Sequence, residues 1–135
     1  MKNILLTLVL FGSLNASDLI YDDTTSSLWQ NTKENSRLSM THKEAKAYCS
    51  RLSIEKYSDF RLPTVKELQT LVDFNKRKPA ILSAFNHVAS EVYWSSTVDV
   101  YRGESVWSVD FKTGSVKAIG TTYDRHIRCV QTLAQ

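Results

Sequence analysis

The 135-residue chain is poor in the residues and motifs that mark several common functional classes. Only four glycines are present and none belongs to a phosphate-binding loop, and the HExxH and GxSxG motifs are also missing. The longest apolar run, Ile4 to Phe11, is about half as long as a bilayer-spanning helix requires. Two isolated cysteines do not make a zinc set. These absences argue against a P-loop protein, a zinc protease, an α/β-hydrolase and an integral membrane protein.

The charge is too evenly balanced to indicate a nucleic-acid partner. The formal net charge is +3, and it is +2 for residues 17–135 because Lys2 is the only charged residue before them. Binding to nucleic acids depends on clustered cations that displace counterions from the phosphates. We therefore predict no nucleic-acid partner.

The first sixteen residues have the pattern of a secretory signal peptide. Lys2 precedes the apolar run, and small and polar residues follow it and end at Ala16. No cysteine lies near this point, so a lipid anchor at an N-terminal cysteine is not expected. We predict a signal peptide over residues 1–16 and an exported, periplasmic or extracellular product whose residues 17–135 form one domain. A retained membrane anchor is the alternative; after cleavage we expect no membrane span.

The two cysteines, Cys49 and Cys129, are expected to form a disulfide, because exported proteins meet an oxidising compartment. The bond would close a loop of about 80 residues and stabilise the fold by roughly 4 to 5 kcal/mol. A reactive thiol or a metal ligand is the alternative for each residue.

Local patterns predict a hairpin and a first helix in the N-terminal half. Residues 18–30 contain two short apolar stretches around a polar turn, which is typical of a β-hairpin with a longer loop. After a polar connection, Thr41 and Glu44 have the spacing of a capping box at the start of a helix. Ala45 and Cys49 share one face of that helix, so Cys49 is expected to point into the core.

The segment "DFRLPTVKEL" predicts a second helix and a structural role for its own residues. Phe60 is expected to fill the core, Pro63 to end the preceding loop, and Thr64 and Glu67 to form a second capping box. Arg61 is interpreted as a partner for loop carbonyls or an acidic side chain, although a polar ligand between Arg61 and Glu67 is the alternative. The helix is expected to carry an apolar stripe of Val65, Leu68, Leu71 and Val72.

A long connection over residues 75–91 leads to a region with the two-residue period of β-strands. The segments "EVYWSST", "ESVWSVDF", "GSVKAIG" and "RHIRCV" are predicted strands. "KTGS" at residues 112–115 is predicted to be a tight hairpin in which Gly114 supplies a positive φ. In the last strand, Ile127 and Cys129 are expected to face one way and His126 and Arg128 the other.

Two groups of residues are candidate ligand contacts. Aromatic and hydroxyl side chains at Tyr93, Trp94 and Ser95 could form a stacking surface, while a tryptophan in a strand is also typical of a core. The cations Lys76, Arg77 and Lys78, with Arg125 and Arg128, could meet an anionic polymer, while solvated surface charge is the alternative.

No residue is predicted to be catalytic or to bind a metal, and no cofactor is expected. His42, His87 and His126 are scattered along the chain, which favours surface or hydrogen-bonded roles. Asp22 and Asp23 lie in a predicted turn, where acidic side chains accept hydrogen bonds from backbone amides; a calcium site there is the alternative.

Several motifs in order, "SSLWQ", "YSDFRLPTVKELQTLVD", "YWSST", "VWSVDFKTG" and "IRCV", resemble the Lcl C-terminal domain family. The resemblance implies an α+β, C-type-lectin-like fold, related also to sulfatase-modifying factors. In that fold two helices pack on small twisted antiparallel sheets, and a disulfide joins a helix to the last strand. Phe60 stands where the family commonly has tryptophan. The sugar-coordinating motifs of calcium-dependent lectins and the free cysteines of the oxidase-like relatives are missing.

By analogy with this fold, we predict an exported, non-catalytic binding module that recognises a glycan or an envelope protein. Its ligand-binding loops are expected near residues 93–97 and in the connection 75–91. A structural subunit of an envelope or appendage complex is the first alternative, and no oligomeric state is predicted. A cofactor-free enzyme is the second; it requires a pocket that gathers His126, Asp110 and a hydroxyl group.

Overall fold

The computed structural model describes residues 17–133, and the predicted signal peptide over residues 1–16 lies outside them. The described residues form three helices and eight strands. None of these helices is long and apolar enough to cross a membrane. In chain order the elements are β1 (Leu19–Asp22), β2 (Ser27–Gln30), α1 (Glu34–Arg37), β3 (Ser39–Met40), α2 (His42–Arg51), α3 (Val65–Gln69), β4 (Val92–Val98), β5 (Ser105–Asp110), β6 (Ser115–Gly120), β7 (Arg125–His126) and β8 (Val130–Thr132).

The strands form two small sheets. One has three antiparallel strands in the order β1-β2-β8, and the other has five strands in the order β3-β7-β4-β5-β6. Within the larger sheet, β4 and β7 run parallel and meet at the pair Tyr93 and His126, whereas the other neighbours are antiparallel. The architecture is therefore α+β, as predicted, and it has one short parallel pairing that the sequence did not indicate.

Both predicted helix starts are confirmed by their capping geometry. The Thr41 side chain accepts from the amide of Glu44, and the Glu44 carboxylate accepts from the amide of Thr41. Thr64 and Glu67 form the same reciprocal pair at α3. The hairpin of β1 and β2 is confirmed as well.

Two local predictions were wrong in detail. The α3 helix ends at Gln69, so Leu71 and Val72 of the expected apolar stripe lie beyond it, although Leu71 is still buried. The polar connection before α2 contains α1 and β3, which polar side chains without an apolar period did not indicate. Asn35 in α1 is buried and donates to the carbonyl of Ile127, so polar contacts hold this helix in place.

The first half of strand β4 is buried because it lies between two hydrophobic clusters. Tyr93 belongs to the cluster that contains Trp29 and Leu68. Trp94 belongs to the second cluster, which contains Phe60 and both cysteines. Successive side chains of a strand point to opposite faces, so one central strand contributes an aromatic residue to each cluster.

The predicted disulfide is present between Cys49 in α2 and Cys129 directly before β8. Their Cα atoms are 5.5 Å apart and 80 positions apart in sequence, and both residues are fully buried. The bond therefore joins a helix to the C-terminal strand, as expected. The likeness to C-type lectins stays a prediction.

Candidate functional site

The structure places Tyr93, Trp94 and Ser95 in the core, with none of their surface exposed. Their polar atoms are bonded within the protein: the Tyr93 hydroxyl donates to the Asn35 carbonyl, and the Trp94 indole donates to Met40 at 2.7 Å. These contacts correct the prediction of a stacking surface, because a ligand on the surface cannot reach the three side chains. They correspond to the core interpretation of this stretch.

Arg61 and Glu67 form a bonded pair that connects three parts of the fold. The guanidinium donates to both oxygens of the Glu67 carboxylate, at 2.8 and 2.9 Å, and to the hydroxyl of Thr132 at 2.8 Å. The hydrogen bond from Arg61 is the main reason why the pKa of Glu67 lies below its ordinary value. Phe60, the residue before Arg61, is buried as predicted. The side chains of this segment are thus occupied with structural contacts.

The same segment is also held through its backbone. The amide and carbonyl of Arg61 pair with those of Val130 at 2.9 Å in both directions, and the Pro63 carbonyl accepts from the amide of Ser96 at 2.8 Å. The loop before α3 is therefore tied to the residues around β8 and β4. The structural interpretation of "DFRLPTVKEL" accounts for these contacts without a ligand.

A buried guanidinium at Arg128 is the feature that sequence reasoning missed. The residue was predicted to share a strand face with His126 and to be a surface cation, but it lies between β7 and β8 and none of its surface is exposed. Its Nη1 donates to the Gln30 carbonyl at 2.6 Å and to the Asn35 side chain at 3.2 Å, and its Nη2 donates to the His87 carbonyl at 2.5 Å. It also lies over the ring of Phe85, 4.9 Å from the centroid. Burial lowers the pKa of Arg128 to about 10.

The predicted cations at residues 76–78 lie next to the hairpin turn between β5 and β6. The amide of Lys78 donates to the carbonyl of Lys112 at 3.1 Å, which places the two backbones side by side. Arg77, Lys78 and Lys112 are exposed, and none of them has an ion-pair partner among residues 17–133. We call these three residues the basic turn. Lys76 differs from them because its ammonium contacts the hydroxyl of Ser83 at 3.4 Å.

An exposed aromatic ring lies beside the basic turn. Phe74 is 76% exposed, and one edge of its ring rests against Gly114. Gly114 has φ +89°, and a Cβ atom there would meet Phe74 at 3.0 Å and Val72 at 2.7 Å. The predicted hairpin glycine is therefore needed both for its backbone conformation and for this close approach.

A shallow pocket of about 350 Å³ lies on the other side of Lys112. Arg125 contributes a second cation to its wall, and Glu91 and Asp110 contribute two carboxylates. Asp110 accepts from the amide of Lys112 and lies 3.5 Å from the ammonium of Lys117. The pocket beside Lys112 thus contains charges of both signs, whereas Arg77 and Lys78 are exposed and have no ion-pair partner among residues 17–133.

The residues required for the enzyme alternative are not brought into contact. His126 has Glu91 as its acidic neighbour, with Nε2 4.0 Å from the carboxylate, while Asp110 is bonded to the backbone of its own hairpin. Among residues 17–133, no group of three or more histidine, cysteine, aspartate or glutamate residues could hold a metal ion.

The loop between β4 and β5 exposes apolar side chains that the sequence analysis did not select. Val100 and Tyr101 are largely exposed at its tip, and Val98 is half-exposed. Asp99 in the same loop is buried, and its carboxylate accepts from the amide of Tyr101 at 3.0 Å. The sequence "VDVY" between two predicted strands could have indicated an exposed apolar loop, but the same residues are also typical of a strand end.

Comparison with protein families assigns the chain to a known family. The model of the Lcl C-terminal domain matches residues 18–131, which include both cysteines, all three helices and most of β8. The chain belongs to the Lcl C-terminal domain family. The suspected resemblance is therefore confirmed. No curated protein matches the sequence significantly.

Burial lowers the pKa of two histidines of this Lcl C-terminal domain, His42 and His126. His42 donates from Nε2 to the carbonyl of Ser95 at 2.8 Å. Burial is the main cause that lowers the pKa of His42; Lys46 acts in the same direction, and the bond to Ser95 opposes it. Burial also lowers the pKa of His126, against the opposing effect of Glu91.

We expect the protein to lose stability as the pH falls below about 6.5. An unfolded histidine has its ordinary pKa of 6.5, whereas folded His42 and His126 take up protons only at lower pH. Between these values the unfolded state binds more protons, so the free energy of unfolding decreases as the pH decreases. Urea unfolding midpoints at about pH 7.5, 6 and 5 measure this effect.

The substitution His42→Gln is the matched variant, because its amide can still donate to the Ser95 carbonyl. This variant should lose less stability than wild type as the pH decreases, and the remaining loss should be the contribution of His126. Glutamates with a lowered pKa act in the same direction mainly near and below their ordinary value of 4.5, so the step from about pH 7.5 to about pH 6 reports the histidines. A wild-type midpoint as high at about pH 5 as at about pH 7.5 would contradict the expected pH dependence.

Proposed function

We propose that this Lcl C-terminal domain is an exported, non-catalytic binding module whose basic turn recognises an anionic glycan. The observation that carries the proposal is the group of exposed cations Arg77, Lys78 and Lys112, which have no ion-pair partner among the described residues and lie beside the exposed ring of Phe74. Charge and aromatic surface are then available together on one edge of the domain.

The chemistry of an acidic polysaccharide suits both features. Exposed cations attract carboxylate or sulfate groups over about 10 Å at moderate ionic strength, and a repeated anion can meet several of them at once. The negative face of an aromatic ring attracts the weakly positive C–H groups of a sugar ring. Each contact is weak, so affinity should depend on the number of cations engaged.

The backbone holds the basic turn in a defined position. Besides the bond from Lys78 to Lys112, the amide of Ala80 donates to the carbonyl of Phe111 at 2.7 Å. Lys78 has φ +52°, in the left-handed region, and Ala80, two positions later, is fully buried. A ligand that binds here has less backbone to order, which supports recognition by this segment.

Export is part of the same proposal. The apolar leader ending at Ala16 and a long-range disulfide both fit a protein that matures in an oxidising compartment. A polysaccharide of the periplasm, the cell surface or the surroundings would then be accessible to the domain.

The test is calorimetric titration of the oxidised protein with dextran sulfate, polygalacturonate and neutral dextran, with and without calcium and across a salt series. We expect saturable binding of the two anionic polymers that weakens as salt increases. The triple variant Arg77→Glu, Lys78→Glu, Lys112→Glu should bind at least about tenfold more weakly, because three exposed charge contacts are reversed.

A control with the same change in net charge is Lys33→Glu, Lys43→Glu, Lys46→Glu, in which the replaced cations are also exposed. It should retain most of the affinity. Equal losses in the two triple variants would contradict a local site and indicate attraction by net charge alone. No binding to either anionic polymer would contradict the proposed ligand.

A further inference from the structure

A second surface of the domain is a pocket of about 250 Å³ between β1 and residues 82–85. Its wall is mostly apolar and includes Ile20, Trp29, Leu71 and Phe85. We call it the β1 pocket. At its edge Leu82 is 40% exposed, so an apolar surface continues from the pocket to the solvent.

The Trp29 indole in this wall has an unsatisfied hydrogen-bond donor. Trp29 is only 2% exposed, and its Nε1 has no acceptor among residues 17–133. Leaving such a donor buried and unbonded is unfavourable, and most buried polar groups in proteins are paired. Nε1 is itself inaccessible to solvent, so an occupant of the β1 pocket meets the apolar ring of Trp29 rather than this donor.

Two carboxylates at the pocket also have no counter-ion. Asp22 and Asp23 line it, and neither forms an ion pair among the described residues. One oxygen of Asp22 accepts from the amide of Thr24 at 3.0 Å. This neutral donor does not cancel the negative charge of the carboxylate. Lys76 reaches the adjoining loop but contacts the hydroxyl of Ser83 there. The charge at the pocket therefore complements a positively charged occupant.

The position of β1 selects an extended chain as that occupant. In the order β1-β2-β8, β1 is a terminal strand, and its outer edge pairs with no other strand in the described part of the protein. Such an edge presents backbone donors and acceptors to which an extended peptide can add. A peptide also provides a side chain that can pack on the apolar wall formed by Ile20, Trp29 and Phe85.

We propose that the β1 pocket binds an extended segment of a protein partner in which an apolar side chain is flanked by lysine or arginine. The apolar side chain occupies the pocket beside the Trp29 ring, the peptide backbone pairs with the free edge of β1, and the flanking cations face Asp22 and Asp23. This inference goes beyond the glycan proposal, since it concerns another surface and a ligand of opposite charge.

The test is a ¹⁵N–¹H NMR titration of the oxidised protein with an acetylated and amidated pentapeptide that has leucine between two lysines and threonine at both ends. We expect saturable, single-site shifts of the Trp29 indole signal and of the amides of residues 82–85, with the Trp94 indole unmoved because it is already bonded. The variant Asp22→Asn, Asp23→Asn, in which the side-chain acceptor for Thr24 is retained, should bind about fivefold more weakly.

Two matched peptides complete the design: one with glutamates in place of the lysines, and one with serine in place of the leucine. Both should bind more weakly than the leucine–lysine peptide. The inference is overturned if the Trp29 indole signal does not shift up to about 5 mM peptide, if the glutamate peptide binds equally well, or if the asparagine variant binds with unchanged affinity. Glycan binding would shift the amide signals of Lys78 and Lys112 instead of those of the β1 pocket. Failure of one proposal can therefore be distinguished from failure of the other.

Discussion

Removal of the disulfide between Cys49 and Cys129 is expected to lower the free energy of unfolding by about 4 to 5 kcal/mol. The bond joins residues 80 positions apart, and crosslinks that close long loops restrict the unfolded chain most. A domain of this kind has a total stability of about 5 to 15 kcal/mol, so the loss is a large part of it. Urea unfolding of wild type and of Cys49→Ala, Cys129→Ala under non-reducing conditions measures the difference.

The reductant itself provides the control for this experiment. A reducing agent should destabilise the wild-type protein by a similar amount and leave the double alanine variant unchanged. Both cysteines are fully buried, so part of the stability lost in the alanine variant comes from two small cavities. The reduced wild-type protein keeps both sulfur atoms and does not have these cavities. A loss below about 1 kcal/mol in both comparisons would contradict the expected role of the bond.

The parts of the fold that were predicted well depend on residues close together in sequence. Capping boxes such as Thr64 and Glu67 use side chains three positions apart, and the hairpin turn depends on the backbone freedom of Gly114. The disulfide joins residues far apart in sequence, but it could still be predicted because two cysteines allow only one intramolecular pairing. In each case one short pattern had one dominant physical explanation.

The burial of Tyr93, Trp94 and Ser95 could not be decided from the strand pattern alone. The alternating pattern of a strand shows which side chains share a face of the sheet. Whether the second face is also buried depends on which elements pack against it. For β4, the two hydrophobic clusters are completed by residues as distant as Trp29 and Phe60. The candidate surfaces consequently moved from the strand to the connections around it.

The basic turn was partly visible in the sequence. Lys76, Arg77 and Lys78 are adjacent in the chain, so their cluster was recognised directly. The contribution of Lys112 depends on a backbone contact over 34 positions, which no local pattern contains. Similarly, the β1 pocket combines Asp22 and Asp23 with a loop 60 positions later, and only the fold brings these groups together.

Replacing Arg128 by alanine is expected to lower the free energy of unfolding by about 3 to 5 kcal/mol. Its guanidinium satisfies the carbonyls of Gln30 and His87 and the Asn35 side chain, which come from three separate segments. Alanine would remove this donor from all three acceptors, of which the Asn35 oxygen still accepts from the amide of Thr32 at 2.8 Å, and would open a cavity against Phe85. Urea unfolding measures the loss.

The variant Arg128→Met separates the two causes, because it restores most of the volume but no donor. It should recover part of the loss and remain about 2 kcal/mol less stable than wild type. Arg77→Met, at an exposed position, is the control and should change stability by no more than about 0.5 kcal/mol. Desolvation opposes these hydrogen bonds, since the Nε of Arg128 has no partner in the described structure and a buried cation is costly to desolvate. A methionine variant as stable as wild type would therefore show that desolvation of Arg128 outweighs its hydrogen bonds.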